Sequence, residues 1–289
     1  MAASPRDMTL SRRNTEAYIE TIDDRGRCHV AIVDLESATV VKDIPLDFPA
    51  IGNLVLSSDE RRLYAPTASG VKVIDTARRT IVKTLKADGD YGFTAFLTPR
   101  GDLLWVAYAD HIAAIQLSTG SIAYRITLTG ATSDSPDITF SADGRTAYAL
   151  QIDTINIIDV ATHKVSRHFK YLAGLSIMAN GPVIYVAGDK DMRSHDARVA
   201  TVDPNTGKIL HSETFYGRGR HLALSPDKRR LYVTNPDGYS IEVFDTATGR
   251  PVHTIAVDGG FPWDLAISAD GSTLYVTEAA ANALTVFKA

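Results

Sequence analysis

The feature that most limits what this chain of 289 residues can fold into is a repeat. An aromatic residue at the centre of a short β-type run falls at Tyr18, Tyr64, Trp105, Tyr148, Tyr185, Tyr232 and Tyr275, with gaps of 46, 41, 43, 37, 47 and 43 residues. A second marker closes a later run at Asp34, Asp75, Gln116, Asp159, Asp203, Asp245 and Lys288. Two markers that recur in step seven times define one structural unit in seven copies.

The sixth copy shows what the unit is. Its short runs of β-branched and aromatic residues predict strands over His221–Ser225, Arg230–Thr234, Ser240–Asp245 and Pro251–Val257. Ser225-Pro226-Asp227-Lys228 and Thr246-Ala247-Thr248-Gly249 supply turn chemistry between them. No segment of 10–15 residues has helical periodicity, which disfavours an α/β sheet. Four-stranded antiparallel units at this period are propeller blades, because one twisted sheet cannot bury both its faces alone. The expectation is an all-β, seven-bladed β-propeller in a single domain, 1–289. Its blades fall at about 7–47, 50–88, 92–130, 136–172, 174–217, 220–259 and 263–289, with 1–6 added to the last. The seventh copy has only three runs, so Ala2–Arg6 is expected to pair with it as a fourth strand and cover two sheet edges.

Composition excludes several function classes. A net charge of −4 and a pI near 6.1 argue against a nucleic-acid partner, which needs a basic face. The single cysteine, Cys28, permits no internal disulfide and no thiolate cluster for zinc or iron–sulfur. There is no apolar stretch of about 20 residues for a membrane span and no signal-type apolar core near the start. A cytoplasmic protein is the expectation, or an exported one if a signal has been removed. No phosphate loop, His-x-x-x-His or Gly-x-Ser-x-Gly is present, so no cofactor and no metal are expected.

The residues resemble a known family. Tyr232-Val233-Thr234-Asn235 spells the YVTN signature, with Leu224-Ser225-Pro226-Asp227 before it and Phe244-Asp245-Thr246-Ala247-Thr248-Gly249 after it. Tyr275-Val276-Thr277-Glu278 is a near match, and the other five copies diverge. The resemblance to YVTN-repeat propellers covers nearly the whole chain. It implies the fold rather than an activity, since propellers host many unrelated functions. The architecture is also similar to that of lactonases and the streptogramin-cleaving lyase, but neither catalytic set maps onto this chain.

Propellers usually bind ligands at one mouth of the central channel. That mouth is lined by the starts of the first strands and by the loops between second and third strands. His221 sits at such a start, flanked by Arg218 and Arg220. A histidine there suits general acid–base work near neutral pH, and an arginine beside it suits a carboxylate or a developing oxyanion. The catalytic candidates are therefore His221, Arg220 and Asp264. Trp263, at the analogous place one blade on, is a candidate to stack on a flat ligand. Tyr91, Phe93, Asn53, Asp137, Tyr108 and Glu278 complete the ligand-binding candidates, and Glu20 lies in the same set of loops. The repeated aromatic and Asp markers are read as structural: packing between sheets and capping of turns. Arg61-Arg62, Arg78-Arg79 and Lys228-Arg229-Arg230 are read as solvated turns. The long loop from Gly188 to Ala197, with His195, Asp189, Asp191 and Asp196, is read as a surface loop, with a lid over the mouth or a cation held through its oxygens as the alternatives.

The function expected is binding of a small organic ligand in the channel, with cofactor-independent turnover of hydrolase, lyase or cyclase type. The alternatives are a non-catalytic scaffold for a protein partner and an exported surface protein of the YVTN kind.

Overall fold

In this computed structural model the described residues are 3–46, 52–86, 88, 94–130, 136–171, 173–190 and 195–289. Among them every regular element is a β-strand. The strands form seven antiparallel sheets, the blades, arranged around a common axis. The innermost strands are Ser4–Leu10, Val55–Leu56, Thr94–Leu97, Asp137–Phe140, Gly174–Asn180, Leu222–Leu224 and Pro262–Ile267. Six sheets have four strands and the seventh has three, ending at Ala283–Lys288.

The repeat markers do the work expected of them. Each aromatic lies on a second strand; Tyr18, Tyr64, Trp105, Tyr148, Tyr185 and Tyr232 are buried, and Tyr275 is half-buried. The Asp markers cap the turn that follows: the Asp75, Asp159 and Asp245 carboxylates accept the backbone N–H of Arg78, Thr162 and Thr248. The turns at the other end of the blades carry a Ser-x-Asp clasp. Ser57, Ser141, Ser225 and Ser268 donate to Asp59, Asp143, Asp227 and Asp270.

The core lies between blades. Seven apolar clusters occupy the seven junctions between neighbouring sheets. Second and third strands are buried on both faces, whereas fourth strands such as Thr39–Pro45 and Thr80–Leu85 are mostly exposed. This radial gradient is what sheets stacked around an axis require.

Ring closure differs from the sequence reading. Pairing of Ala2–Arg6 with the last blade is not found among the described residues. Ser4–Leu10 is instead the innermost strand of blade 1, paired with Glu16–Ile22. A fourth strand of blade 7 would sit on the outer rim, three strand spacings or about 15 Å from the innermost strand. Residues 4–6 run straight into residues 7–10, which the pairing with Glu16–Ile22 holds at the axis, so they cannot reach the rim. Closure comes from packing of Ser4–Leu10 against the innermost strand of blade 7, with Asp264 of that strand, Thr277 of the second strand and the Ala279 carbonyl tying blade 7 to it.

Candidate functional site

Seven residues hold one register position, each just before a buried apolar residue of an innermost strand. They are Asp7, Asn53, Thr94, Asp137, Ser176, His221 and Asp264. Their buried followers, Met8, Leu54, Ala95, Ile138, Ile177, Leu222 and Leu265, enter the cores between blades. The polar set therefore forms a ring around the axis.

Several ring members fasten one blade to the next. Asp264 Oδ2 accepts the Met8 N–H at 2.8 Å, and Asp137 Oδ2 accepts the Ile177 N–H at 2.8 Å. Asn53 accepts from Ala95 N at 2.9 Å and donates to Ala95 O at 2.8 Å. The Thr of the Tyr-Val-Thr motif adds a second fastener. Thr277 Oγ1 accepts the Asp264 N–H at 3.0 Å and donates to Arg6 O of blade 1 at 2.8 Å. Thr234 makes the same pair of bonds to His221 N and Trp263 O.

The residue after that Thr shapes the mouth. Asn235 donates to Tyr216 O and accepts from the N–H of Arg218 and Gly238, which holds the segment leading to Arg220 and His221. Only glycine fits the space beneath it: a Cβ on Gly217 would stand 2.0 Å from Asn235 Oδ1, at a φ of +110°. Glu278 fills the same place in blade 7, where a Cβ on Gly260 would stand 1.8 Å from its Oε2.

At the junction of blades 6, 7 and 1 the ring becomes ionisable. His221 Nε2 lies 3.5 Å from Asp7 Oδ1 and its Nδ1 lies 3.6 Å from Asp264 Oδ1. β-Bulges between Pro5 and Met8 and between Pro262 and Asp264 re-aim the flanking side chains. The guanidinium carbons of Arg6 and Arg220 stand 3.8 Å and 3.5 Å from the centre of the Trp263 ring. At such distances two cations fit only on opposite faces, so the indole is sandwiched. The expected stacking of Trp263 on a flat ligand is thus blocked on both faces, and what the indole retains is its edge.

Burial governs the charges here. It pushes the Asp264 carboxyl up to about 6; His221 opposes the rise and Asp7 adds to it. Burial also raises Asp137, against the Ile177 N–H and His221. Glu20, 2 % exposed, is pushed well above the usual carboxylate range by burial and then by Asp7, with Arg6 pulling the other way. Burial lowers the Arg220 guanidinium, with Asp7 opposing. Donor atoms of Asp7, His221 and Asp264 lie within 4.8 Å of one another, near enough to share a divalent cation. Yet each ring nitrogen of His221 faces a different carboxylate, and both Asp264 oxygens already accept backbone N–H groups. An imidazole bridging two carboxyl groups fits that geometry better than a shared ion.

Of the residues singled out in the sequence, His221, Arg220, Asp264 and Trp263 stand together, and Asp137 is close enough to feel His221. Asn53 lies in the ring at the junction of blades 2 and 3. Tyr108 is buried; its hydroxyl accepts the Asp88 N–H at 2.7 Å and its ring stacks on His111. Glu278 is buried beneath Gly260. Tyr91 and Phe93, and residues 191–194 of the long loop, lie outside the described residues. Asp7 and Arg6 were missed, although a signal existed. Asp264, His221, Asp137, Asn53 and Thr94 each stand eleven residues before their copy's aromatic, and so does Asp7.

Fold and site together define a seven-bladed β-propeller with a charged cluster at the axis. No protein-family model and no curated protein matches the chain. Among solved structures it is similar to hydrazine synthase of Kuenenia stuttgartiensis, with a TM-score of 0.83 over 100% of this chain and 96% of that one. The identity is 17%, so the likeness extends to the fold alone.

Proposed function

We propose that this protein binds a small organic molecule at the mouth of its channel and acts on it by acid–base chemistry without a cofactor. His221 is the proton-moving group, and the reaction is of hydrolase, lyase or cyclase type. The observation that carries this reading is the imidazole held between Asp7 and Asp264 with Arg220 beside it. An imidazole can take a proton on one nitrogen and give one from the other, so it can serve as base and acid in one cycle. Asp264 and Glu20 are pushed up by burial, so they hold protons at pH values where an ordinary carboxyl has lost its own.

A protein-interaction scaffold has less support. The exposed large apolar side chains among the described residues, including Val40, Val82, Leu210, Tyr239, Val252 and Val286, are scattered over several blades. Such scatter is ordinary for a soluble surface. We also read the repeat as YVTN-type, because Thr234 and Asn235 perform fastening roles that explain the spelling.

The test is a screen of small organic acids, esters and lactones by NMR product detection, with wild type and His221→Ala in parallel. At least one compound should be turned over by wild type and left intact by the variant. Equal turnover by both proteins, or no compound bound or consumed by wild type, would sink the reading.

A further inference from the structure

Two arginines of the mouth stand apart from the paired arginines elsewhere on the blades. Arg62, Arg79, Arg218 and Arg230 each have a carboxylate partner at 2.6–3.3 Å. Arg6 and Arg220 differ: among the described residues neither guanidinium is ion-paired or hydrogen-bonded. Arg6 Nε, Arg220 Nε and Trp263 Nε1 are all buried donors without an acceptor. Three orphaned N–H groups in one stack are rare in a folded protein, because each forfeits its hydration without replacement. The two cations also repel one another across a single ring. The bulges at Pro5–Met8 and Pro262–Asp264 nevertheless hold Arg6 and Trp263 in this arrangement.

We propose that the Arg6–Trp263–Arg220 stack is the subsite that receives the anionic group of the ligand, and that this ligand is a small organic carboxylate. The inference rests on the small-molecule reading above and names its substrate class. Two guanidiniums and an indole N–H match an oxyanion, and guanidinium forks match the planar carboxylate in particular. Charge selects a monoanion. Asp7 and Asp264 stand 3.5 Å and 3.6 Å from the His221 ring nitrogens, and a second negative charge on the ligand beside these carboxyl groups is disfavoured. Asp7 and Asp264 flank the imidazole and both act on the Arg220 charge, so a carboxylate held by the stack brings the rest of its molecule towards the imidazole.

Calorimetric titration of the full chain with propionate and benzoate, each beside its neutral amide, tests this. Inorganic phosphate and sulfate form a further arm. Tryptophan fluorescence localises the event, since Trp105 is fully buried in another junction. Both carboxylates should bind saturably and perturb Trp263 emission. Arg220→Gln and Arg6→Gln should each weaken binding at least about tenfold, with Arg220→Lys weakened less than Arg220→Gln. Thermal melts of each variant separate lost binding from lost folding, and either glutamine variant alone suffices. Equal binding of the amides, undiminished binding in both folded glutamine variants, or phosphate binding more tightly than every carboxylate would overturn the assignment. If the amides bind as well as the acids, the small-molecule reading stands without this inference. If neither acids nor amides bind, both fall.

Discussion

The junction between blades 4 and 5 and the junction between blades 7 and 1 use the same fastener in different surroundings. In each, an aspartate of one innermost strand accepts a backbone N–H of the next at 2.8 Å: Asp137 with Ile177, and Asp264 with Met8. Around the first lies a large apolar core that includes Tyr148, Leu150, Ile155, Tyr171, Ile184 and Val186. Around the second the buried apolar set among the described residues is smaller, Met8, Ala17, Ile19 and Val33, with half-buried Leu10, Leu35, Ala266, Tyr275 and Leu284 packed against it. Polar ties from Ser4 and Thr277 supplement it. The ionisable cluster sits at the apolar-poor junction. A dry core would make unpaired guanidiniums and carboxyl groups far more costly. The propeller thus places a larger apolar core at one of these junctions and its ionisable cluster at the other.

Truncation of the two cores should separate them most. Ile155→Ala, at a fully buried position, should lose about 3–4 kcal/mol in urea unfolding, and Met8→Ala about 2 kcal/mol. A greater loss at Met8 would remove the contrast. Next come the fasteners. Asp137→Ala and Asp264→Ala each remove the acceptor of two backbone N–H groups and should lose about 2 kcal/mol, but only Asp264→Ala should also abolish turnover.

The pH dependence sharpens the difference further. Asp264 titrates at about 6 in the folded chain against an ordinary 3.8, so the folded state keeps a proton that the unfolded state releases. Stability from this group is therefore full below about pH 4, falls as pH rises to about 6 and is flat beyond. Thermal melts should show Asp264→Asn gaining on wild type across that window; a constant offset would refute the shift. The smallest expected effect comes from the threonines. Thr234→Val and Thr277→Val should each lose about 1 kcal/mol, with the loss at Thr277 opening local exchange in Ser4–Leu10.

Much of the fold was legible because its determinants are local and repeated. Tyr232 and Asp245 recur with their neighbours, and each copy states its own strands and turns. Closure was not legible, because the last copy has only three runs and so suggested that the first residues supply its fourth strand. The true partner of Ser4–Leu10 is the next hairpin strand, Glu16–Ile22. His221, Asp264, Arg220 and Trp263 were readable from their place in the repeat. The Arg6–Trp263–Arg220 sandwich was not, since it depends on inserted bulge residues and on opposite ends of the chain meeting at the axis. Asn53 and Asp137 show the converse: a polar residue at a mouth position can be occupied in fastening blades.

The most direct measurement is amide hydrogen exchange at Met8 and Ile177, two equivalent bonds to Asp264 and Asp137, with and without saturating benzoate. Slowed exchange at Met8 with Ile177 unchanged is the expected result. Equal slowing at both amides, or none at either, would contradict a ligand site at the closing junction.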